Sequence, residues 1–241
     1  MLRFFRNIRQ NLLEKGKLKK YFLYAIGEIL LVVIGILIAL QIDNWNNQRI
    51  SSSQEITLLK EMKKNLETDI TDVRGNIIWL KSYLNSNQLV LNNLESASAF
   101  EDSLDVHYAG IYGSVNFQKN TSAYKNLESI GFSIIRNDSL RIAITNLYTI
   151  TYNGINSNGR IHSAFRENHY FPQIMAHIRT DKFFDKAYPI DYPRLSKNHT
   201  FKELIKYNSA MLNEMIGGYA NAENEITLLI DLLEKEIMNR N

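Results

Sequence analysis

The sequence predicts an all-α protein in which an N-terminal transmembrane helix is followed by an elongated antiparallel helical bundle. Three observations predict this fold: a long apolar run near the N-terminus, apolar residues spaced alternately by three and four in two long stretches, and three prolines confined to one region. Proline interrupts helices, so proline-free stretches leave room for long ones. We divide the chain into a basic cytoplasmic tail (1–20), a transmembrane helix (21–42) and an extracytoplasmic helical domain (43–241).

The apolar run covers residues 21–42 and reads YFLYAIGEILLVVIGILIALQI. As a helix it would span roughly 33 Å, which is about the thickness of a bilayer's hydrocarbon core. A buried helix of a soluble protein is disfavoured because the run is apolar on all sides. A cleaved signal peptide is disfavoured because the run is too long and no small-residue cleavage site follows. Tyr21, Tyr24 and Trp45 suit the two membrane interfaces.

The distribution of charge predicts the orientation of this helix. Residues 1–20 contain seven Lys or Arg and one Glu, a net charge of +6. The whole chain carries +3 and Glu28 adds one negative charge within the span, so residues 43–241 sum to −2. The positive-inside rule then places the N-terminus in the cytoplasm and the C-terminal domain outside. Because the basic charge belongs to the tail, we expect a lipid bilayer and no nucleic acid as partner.

One face of the predicted span carries Glu28, Gly35 and Ala39, which follow one another at intervals of seven and four residues. Small residues let helices approach closely, and an ionisable group within a span needs a partner or an interfacial position. We expect this face to form a helix contact, in a homo-oligomer or with another membrane protein. The alternative is a glutamate at the headgroup boundary that has no partner.

The stretch from 56 to 94 has heptad-like apolar spacing, with Lys63 and Asn87 as its two polar breaks. It predicts a helix of about 40 residues that continues from the membrane helix. We interpret its apolar stripe as the core of this chain rather than as an intermolecular coiled coil.

A second long helix is predicted near the C-terminus. Residues 200–203 read Thr-Phe-Lys-Glu, a capping box, and an apolar stripe runs from Leu204 through Met211 to Ile237. Shorter helices are predicted between the two long ones. The first begins at Thr121 or Ser122 and is closed by Gly131, and the next begins at Asn137 or Asp138.

Two segments lack a helical pattern. Residues 97–120 predict a loop with a short helical turn. Residues 171–199 contain all the prolines and many aromatic residues, and they predict a structured loop packed on the bundle. Its aromatic residues fit either a ligand surface or the filling of the bundle's end, and we prefer the filling.

The sequence contains no recognisable catalytic motif. Cys is absent, which excludes thiolate metal sites and a cysteine nucleophile. Four of the five histidines lie within 162–199, but there is no HExxH and no pair four residues apart. His162 and His169, seven apart, would share a helix face, yet we favour surface histidines over a metal site. We therefore expect no enzyme activity, no metal and no cofactor.

The N-terminal stretch is more specific than a generic span. LYAIGEILLVVIGILIALQIDNWN, with the preceding FFRNIRQNLLEKGKLKKY, resembles the hallmark of a family of uncharacterised single-pass proteins from Bacteroidota, a domain of unknown function. The residues that carry the likeness are Phe4-Phe5-Arg6, Arg9-Gln10, Gly27-Glu28, Gly35-Ile36, Ala39-Leu40-Gln41 and Asn44-Trp45-Asn46, with a weaker second signature at Tyr124-Lys125-Asn126-Leu127-Glu128-Ser129 and Leu147-Tyr148. The resemblance implies an inner-membrane protein with a periplasmic domain, and it carries over no activity.

Bacteroidota also attach O-glycans at Asp-Ser or Asp-Thr followed by an apolar residue. Asp102-Ser103-Leu104 and Asp138-Ser139-Leu140 are similar to that pattern. Ser103 and Ser139 are therefore predicted glycosylation sites, although Asp138 would serve equally well as a helix cap.

Three functions follow as hypotheses. The leading one is a membrane-tethered envelope protein that acts as a non-enzymatic scaffold or interaction module. The alternative is an extracytoplasmic ligand-sensing domain that binds a small molecule at the aromatic loop and works through a membrane partner. The least favoured is an enzyme or metal protein that uses the histidine cluster.

Overall fold

The computed structural model describes residues 18–96, 99–182 and 184–240. The first seventeen residues of the predicted basic tail therefore lie outside the described residues. Most of the chain is helical and a helical bundle follows a long apolar helix, which confirms the predicted fold class. The chain divides into two units, Met1–Gln54 and Glu55–Asn241, which are described separately.

In the described residues, the first unit is the part of helix α1 (Leu18–Glu95) up to Gln54. The Phe, Leu, Ile and Val side chains between Phe22 and Ile42 are all at least 44% exposed. The mean hydropathy reaches 2.7 over an 18-residue window. This part of α1 is therefore long and apolar enough to cross a membrane. The prediction that the helix continues beyond residue 42 without a break is confirmed.

The second unit is framed by the rest of α1 and by the long C-terminal helix α8 (His199–Met238). The Lys63 ammonium lies 2.8 Å from the Glu234 carboxylate, and the Lys206 ammonium lies 3.1 Å from the Glu95 carboxylate. The paired residue number rises from 63 to 95 along α1 and falls from 234 to 206 along α8. The two long helices are therefore antiparallel, as predicted.

Shorter elements connect the two long helices. In chain order they are a 3-10 turn (Asp102–Leu104), α2 (Asp105–Gly110), α3 (Ser122–Ile130), a 3-10 turn (Phe132–Ile134), α4 (Asp138–Asn146), a π-helical segment (Leu147–Thr151), α5 (Tyr152–Phe165), a second π-helical segment (Arg166–Tyr170), α6 (Phe171–His177), β1 (Ile178–Lys182), β2 (Lys186–Pro189) and α7 (Tyr192–Leu195). Strands β1 and β2 pair antiparallel, with Ile178 opposite Pro189.

The buried apolar side chains form two clusters. The larger core joins α1, α3, α4, α5 and α8, and it contains Leu66, Leu80, Leu127, Ile144, Leu212 and Ile226 among others. The smaller core joins the end of α1, α2, α6, the hairpin, α7 and the start of α8, and it contains Val90, Leu94, Tyr108, Tyr170, Leu195, Phe201 and Ile205 among others. Because α1 and α8 contribute to both clusters, they tie the clusters into one unit.

Two details of α8 differ from the prediction. The helix is capped by Asn198, whose side-chain oxygen accepts a hydrogen bond from the Phe201 N–H at 3.0 Å, so the capping box at Thr200 is wrong. The buried stripe begins with Phe201 and Ile205, whereas Leu204 and Met211 are only half-buried. The predicted stripe is confirmed from Met215 to Ile237 and is wrong only at its start, where Asn208 occupies a core position.

The segment 171–199 is structured and packs on the bundle, as predicted. Ile174, Ile178, Ala187 and Leu195 are buried in the smaller core. Among its aromatic side chains, Phe171 and Tyr192 pack against that core, whereas Phe184 is 53% exposed. The sequence did not indicate the hairpin, since its strands are short and largely exposed.

Candidate functional site

Four polar side chains meet at the border between the two cores: Asn87, Ser114, His162 and Asn208, which we call the polar layer. His162 Nε2 lies 2.9 Å from Asn208 Oδ1, and His162 Nδ1 lies 3.2 Å from Ser114 Oγ. The Asn208 amide nitrogen donates to Asn87 Oδ1 at 3.0 Å. Three of the four side chains are buried: Asn87, His162 and Asn208. Each of these three interrupts an apolar stripe, so the layer separates the two cores.

Backbone carbonyls fix the orientation of this network. The Asn208 amide nitrogen also donates to the Ile111 carbonyl at 3.1 Å, so its oxygen must face His162. His162 therefore donates through Nε2 and accepts from the Ser114 hydroxyl through Nδ1. Burial lowers the pKa of the His162 imidazole, which favours this neutral form.

A cavity of about 680 Å³ lies beside the polar layer. Helix α5, the start of the second π-helical segment, the loop 114–117 and Tyr219 of α8 line it. Its polar lining includes Ser114, Asn116, Asn156, Arg160, Ser163, Arg166 and Glu167, and its apolar lining includes Val115, Phe117 and Ile155. The volume falls within the range of about 300–1,000 Å³ that is typical of small-molecule sites.

Arg166 is held in place at one end of this cavity. It opens the second π-helical segment, an irregularity that is frequent at functional sites. One of its guanidinium nitrogens donates to the Tyr112 carbonyl, and the guanidinium lies 4.9 Å above the Phe171 ring. Its Nε is buried and has no hydrogen-bond partner among the described residues. Burial lowers the pKa of Arg166, but a guanidinium remains charged at neutral pH.

Two buried carboxylates lie elsewhere in the helical unit. Asp69 accepts hydrogen bonds from the Tyr152 hydroxyl at 2.7 Å and from the Asn120 N–H at 2.8 Å. Burial raises the pKa of this carboxyl, and the two hydrogen bonds oppose that shift. Glu55 accepts a hydrogen bond from the Arg136 N–H at 2.9 Å and pairs with Arg240. These partners hold both carboxylates within the bundle.

An apolar surface runs along the seam between α4–α5 and α8. One groove of about 370 Å³ is lined by Ile150, Leu228 and Leu232, which are 65%, 63% and 42% exposed. A second groove of about 270 Å³ is lined by Ile161 and Tyr207, which are 57% and 63% exposed. We call these five side chains the apolar seam.

The predicted helix-contact residues Glu28, Gly35 and Ala39 lie in the first unit, on one face of α1. Apart from the adjoining residues and the backbone of its own helix, a Cβ built at Gly35 would meet no described atom within 4 Å. That space leaves room for a second helix at this position. The contact itself stays a prediction.

Both predicted glycosylation sites are exposed. Ser103 lies in a 3-10 turn and Ser139 in the first turn of α4, while Leu104 and Leu140 beside them are buried. Asn137, rather than Asp138, caps α4 by accepting the Leu140 N–H at 3.2 Å. Glycosylation stays a prediction at both serines.

The histidines do not converge. His162 is 1% exposed within the polar layer, whereas His169 is exposed, so the prediction of surface histidines is wrong for His162. His177 lies 3.0 Å from the Asn198 amide and belongs to the start of α8. In the described part of the chain, no three His, Asp or Glu side chains lie close enough to hold a metal ion.

Sequence reasoning missed most of the polar layer, although a signal was present. Asn87 breaks the apolar stripe of α1, and Asn208 occupies a core position between Ile205 and Leu212 of α8. A polar residue at a core position of each long helix indicates a buried polar contact between them. Arg160 and Arg166 gave no such signal, because exposed arginines are common on helices.

Comparison with known proteins places the chain among its relatives. No curated protein and no solved structure matches it. The model of DUF6090, a family of unknown function, matches residues 28–170. The match begins in the apolar part of α1 and includes Asn87, Ser114 and His162. Because it covers more than half of the 241 residues, the chain belongs to this family of unknown function.

Proposed function

We propose that the protein is a membrane-tethered, non-enzymatic interaction module of the cell envelope of Bacteroidota. Its apolar helix would cross the inner membrane, with the N-terminus in the cytoplasm and the helical domain in the periplasm. The exposed apolar stretch of α1 supports the tether, and the basic tail supports the orientation. The resemblance of the N-terminal stretch supports the organism group and the compartment.

The apolar seam is the observation that carries the interaction function. Large apolar side chains more than half exposed are costly in water when they lie together, and such patches commonly mark protein–protein contacts. Ile150 and Leu228 line one groove of the seam, and Ile161 and Tyr207 line the next along the same helix pair. A groove between two antiparallel helices suits a third helix laid along it.

The charges beside the seam indicate the chemistry of the partner. Glu225 lines the first groove and Glu214 the second, and no Lys or Arg among the described residues lines either. The occupant we propose is an amphipathic helix of another membrane protein, with basic residues beside its apolar face. Such a helix would match both the apolar surface and the negative charge of the seam.

The surroundings of the buried titratable groups support a non-enzymatic role. Glu55 and Asp69 accept backbone hydrogen bonds that tie loops to α1, and His162 joins α5 to α8. Each of these groups has a hydrogen-bonding partner in the bundle that explains its burial.

Site-specific photo-crosslinking in native membranes tests the interaction function. A photoreactive residue at Leu228 should give an adduct with another membrane protein, and the crosslinked peptide should be amphipathic with Lys or Arg beside its apolar positions. Ile78, which is 68% exposed on α1, is the matched control and should give little adduct.

Three results would contradict this proposal. Equal adducts from Leu228 and Ile78 would show that the seam is not preferred. A peptide from this chain itself would make the seam a homo-oligomer interface. An acidic or non-helical crosslinked peptide would contradict the partner's stated chemistry.

A ligand-sensing domain is the second candidate function, favoured by the cavity beside the polar layer. The aromatic loop is the weaker place for a ligand, because two of its aromatic side chains, Phe171 and Tyr192, pack against the smaller core. Native mass spectrometry of the protein purified from its host separates the two functions. A bound small molecule on an otherwise lone protein favours sensing, whereas a co-purifying membrane protein without a ligand favours the interaction module.

The proposed contact through Glu28, Gly35 and Ala39 has its own test. Gly35→Leu should reduce crosslinked dimers or hetero-complexes in native membranes, because the larger side chain prevents close helix approach. Gly27→Leu is the matched control, since it adds the same bulk on another face of the helix. Complexes unchanged by Gly35→Leu would remove the contact.

Glycosylation at Ser103 and Ser139 is proposed on the sequence pattern and the exposure of both hydroxyls. The intact mass of protein from its own host should exceed the sequence mass. That excess should fall in Ser103→Ala and Ser139→Ala, and an unmodified mass would remove the proposal.

A further inference from the structure

The cavity beside the polar layer has an excess of positive charge. Arg160 and Arg166 line it, and Glu167 is the one acidic residue in its described lining. Neither guanidinium forms an ion pair with a described carboxylate, and Arg160 has no polar partner at all among the described residues. Arginine guanidinium groups favour planar oxyanions, which they bind through two parallel hydrogen bonds.

Arg166 provides a second, independent observation. It is half-buried, and its buried Nε has no hydrogen-bond partner among the described residues. The Nε itself is closed to solvent and is not a contact point for a ligand, but a negative charge in the cavity would offset part of the electrostatic cost of burying the guanidinium. The Tyr112 carbonyl and the Phe171 ring hold the guanidinium in place, so little side-chain entropy would be lost on binding.

The other residues that line the cavity indicate which groups a ligand would carry besides its negative charge. Ser163 lies between the two arginines in sequence and, with Asn156, supplies a hydroxyl and an amide on α5. Phe117, Ile155 and Tyr219 form an apolar wall. The lining is therefore amphipathic, with polar groups for a charged head and an apolar surface for a short body.

We propose that this cavity binds a small organic oxyanion, a carboxylate or a phosphate ester, that carries a short apolar body. Arg160 and Arg166 contact the oxyanion, Ser163 donates a further hydrogen bond, and the apolar wall packs against the body. This binding site is separate from the proposed interaction surface. It names the class of ligand that the alternative, ligand-sensing function would use.

Binding of defined probes to the full chain in nanodiscs of zwitterionic lipid tests the site. Hexanoate and hexyl phosphate share the apolar body and differ in the oxyanion, and hexanol lacks the charge. Isothermal titration calorimetry should show saturable one-to-one binding of at least one anion, and hexanol should bind at least about tenfold more weakly, since hydrogen bonds to a charged group are stronger than those between neutral groups. The preferred anion identifies the head group.

Arg160→Gln is the decisive variant, because Arg160 is exposed and contributes no described contact to the fold. It should weaken binding by about tenfold or more and leave the melting temperature of the free protein unchanged. Arg194→Gln removes a similarly exposed arginine outside the cavity and should leave binding unchanged.

Three outcomes would overturn the site: no saturable binding of either anion, equal binding of hexanol, or equal effects of the two arginine variants. None of these outcomes alters the crosslinking expected at Leu228, so failure here is distinct from failure of the interaction function. Confirmed binding with no effect on any membrane partner would keep the site and remove the sensing function.

Discussion

The larger core takes most of its side chains from long helices, whereas the smaller core collects them from short elements and from the ends of α1 and α8. In the larger core, apolar residues recur at helical spacing and face one another across antiparallel helices. In the smaller core, side chains such as Tyr108 and Tyr170 come from distant parts of the sequence and meet without a shared periodicity. Packing between long helices therefore follows from the local spacing of apolar residues, whereas packing among short elements depends on the whole fold.

The border between the two cores is polar, whereas both cores are mainly apolar. Asn87, His162 and Asn208 replace apolar residues there and are linked to one another by hydrogen bonds. Such a layer fixes the register of α1 against α8, because sliding either helix would bury its amide without a partner. The cavity beside this layer places the candidate ligand site at the junction of the two cores.

The largest effects are expected from emptying each core. Phe201→Ala in the smaller core should cost about 3–5 kcal/mol and Leu212→Ala in the larger core about 2–5 kcal/mol. Both side chains are fully buried. Because α1 and α8 run through both cores, urea titration of the full chain in mild detergent should show one transition for each variant. Hydrogen exchange that rises only around the smaller core in Phe201→Ala would show that the cores unfold separately.

A smaller effect is expected at the polar layer. Asn208→Ala removes the partner of His162 Nε2, while Asn87 retains the Tyr170 hydroxyl at 3.2 Å. The unsatisfied imidazole should cost about 1–3 kcal/mol in the same titration. Asn221→Ala, an exposed asparagine of the same helix, should change stability by about 0.5 kcal/mol or less. Equal losses would mean that the layer contributes no more than surface polar contacts.

The cap of α8 is expected to matter less than the layer. Asn198→Ala should cost about 1 kcal/mol, because the Phe201 N–H loses its acceptor. Thr200→Ala, at the position that the sequence pattern favoured, should change the unfolding free energy very little. Thermal unfolding of the two variants distinguishes the observed cap from the predicted one, and a larger loss in Thr200→Ala would contradict the structure.

The smallest change is expected from pH near neutrality. Burial keeps the pKa of His162 in the folded state below its unfolded value of about 6.5. As pH falls through about 6.5, the unfolded chain takes up a proton that the folded chain does not, so stability declines until the folded-state pKa is passed. His162→Gln should flatten this part of the pH–stability profile, whereas His199→Gln, at an exposed position, should not. An unchanged slope in His162→Gln would assign the pH dependence to another group.

The success of the sequence prediction follows the same division between the two regions. The apolar stripe of α1, the glycine that closes α3 and the cap of α4 were predictable because each depends on neighbours within a few residues. The hairpin and the cavity were not, because loop residues such as Ser114 join α5 only through distant contacts. The start of the apolar face of α8 was not predictable, because Asn208 occupies a core position between Ile205 and Leu212 and interrupts the apolar spacing there.

The sequence by itself determined the helical class, the apolar stretch long enough to cross a membrane and the two long amphipathic helices. These features follow from the spacing of apolar residues along the chain. Burying each apolar stripe stabilises the same helices that the spacing predicts. Only the tertiary structure decided that Asn87, His162 and Asn208 lie inside and that Arg160 and Arg166 share a cavity. Burial of a polar group depends on whether distant residues supply its hydrogen bonds; spacing places Asn87 and Asn208 on apolar stripes but does not identify those partners.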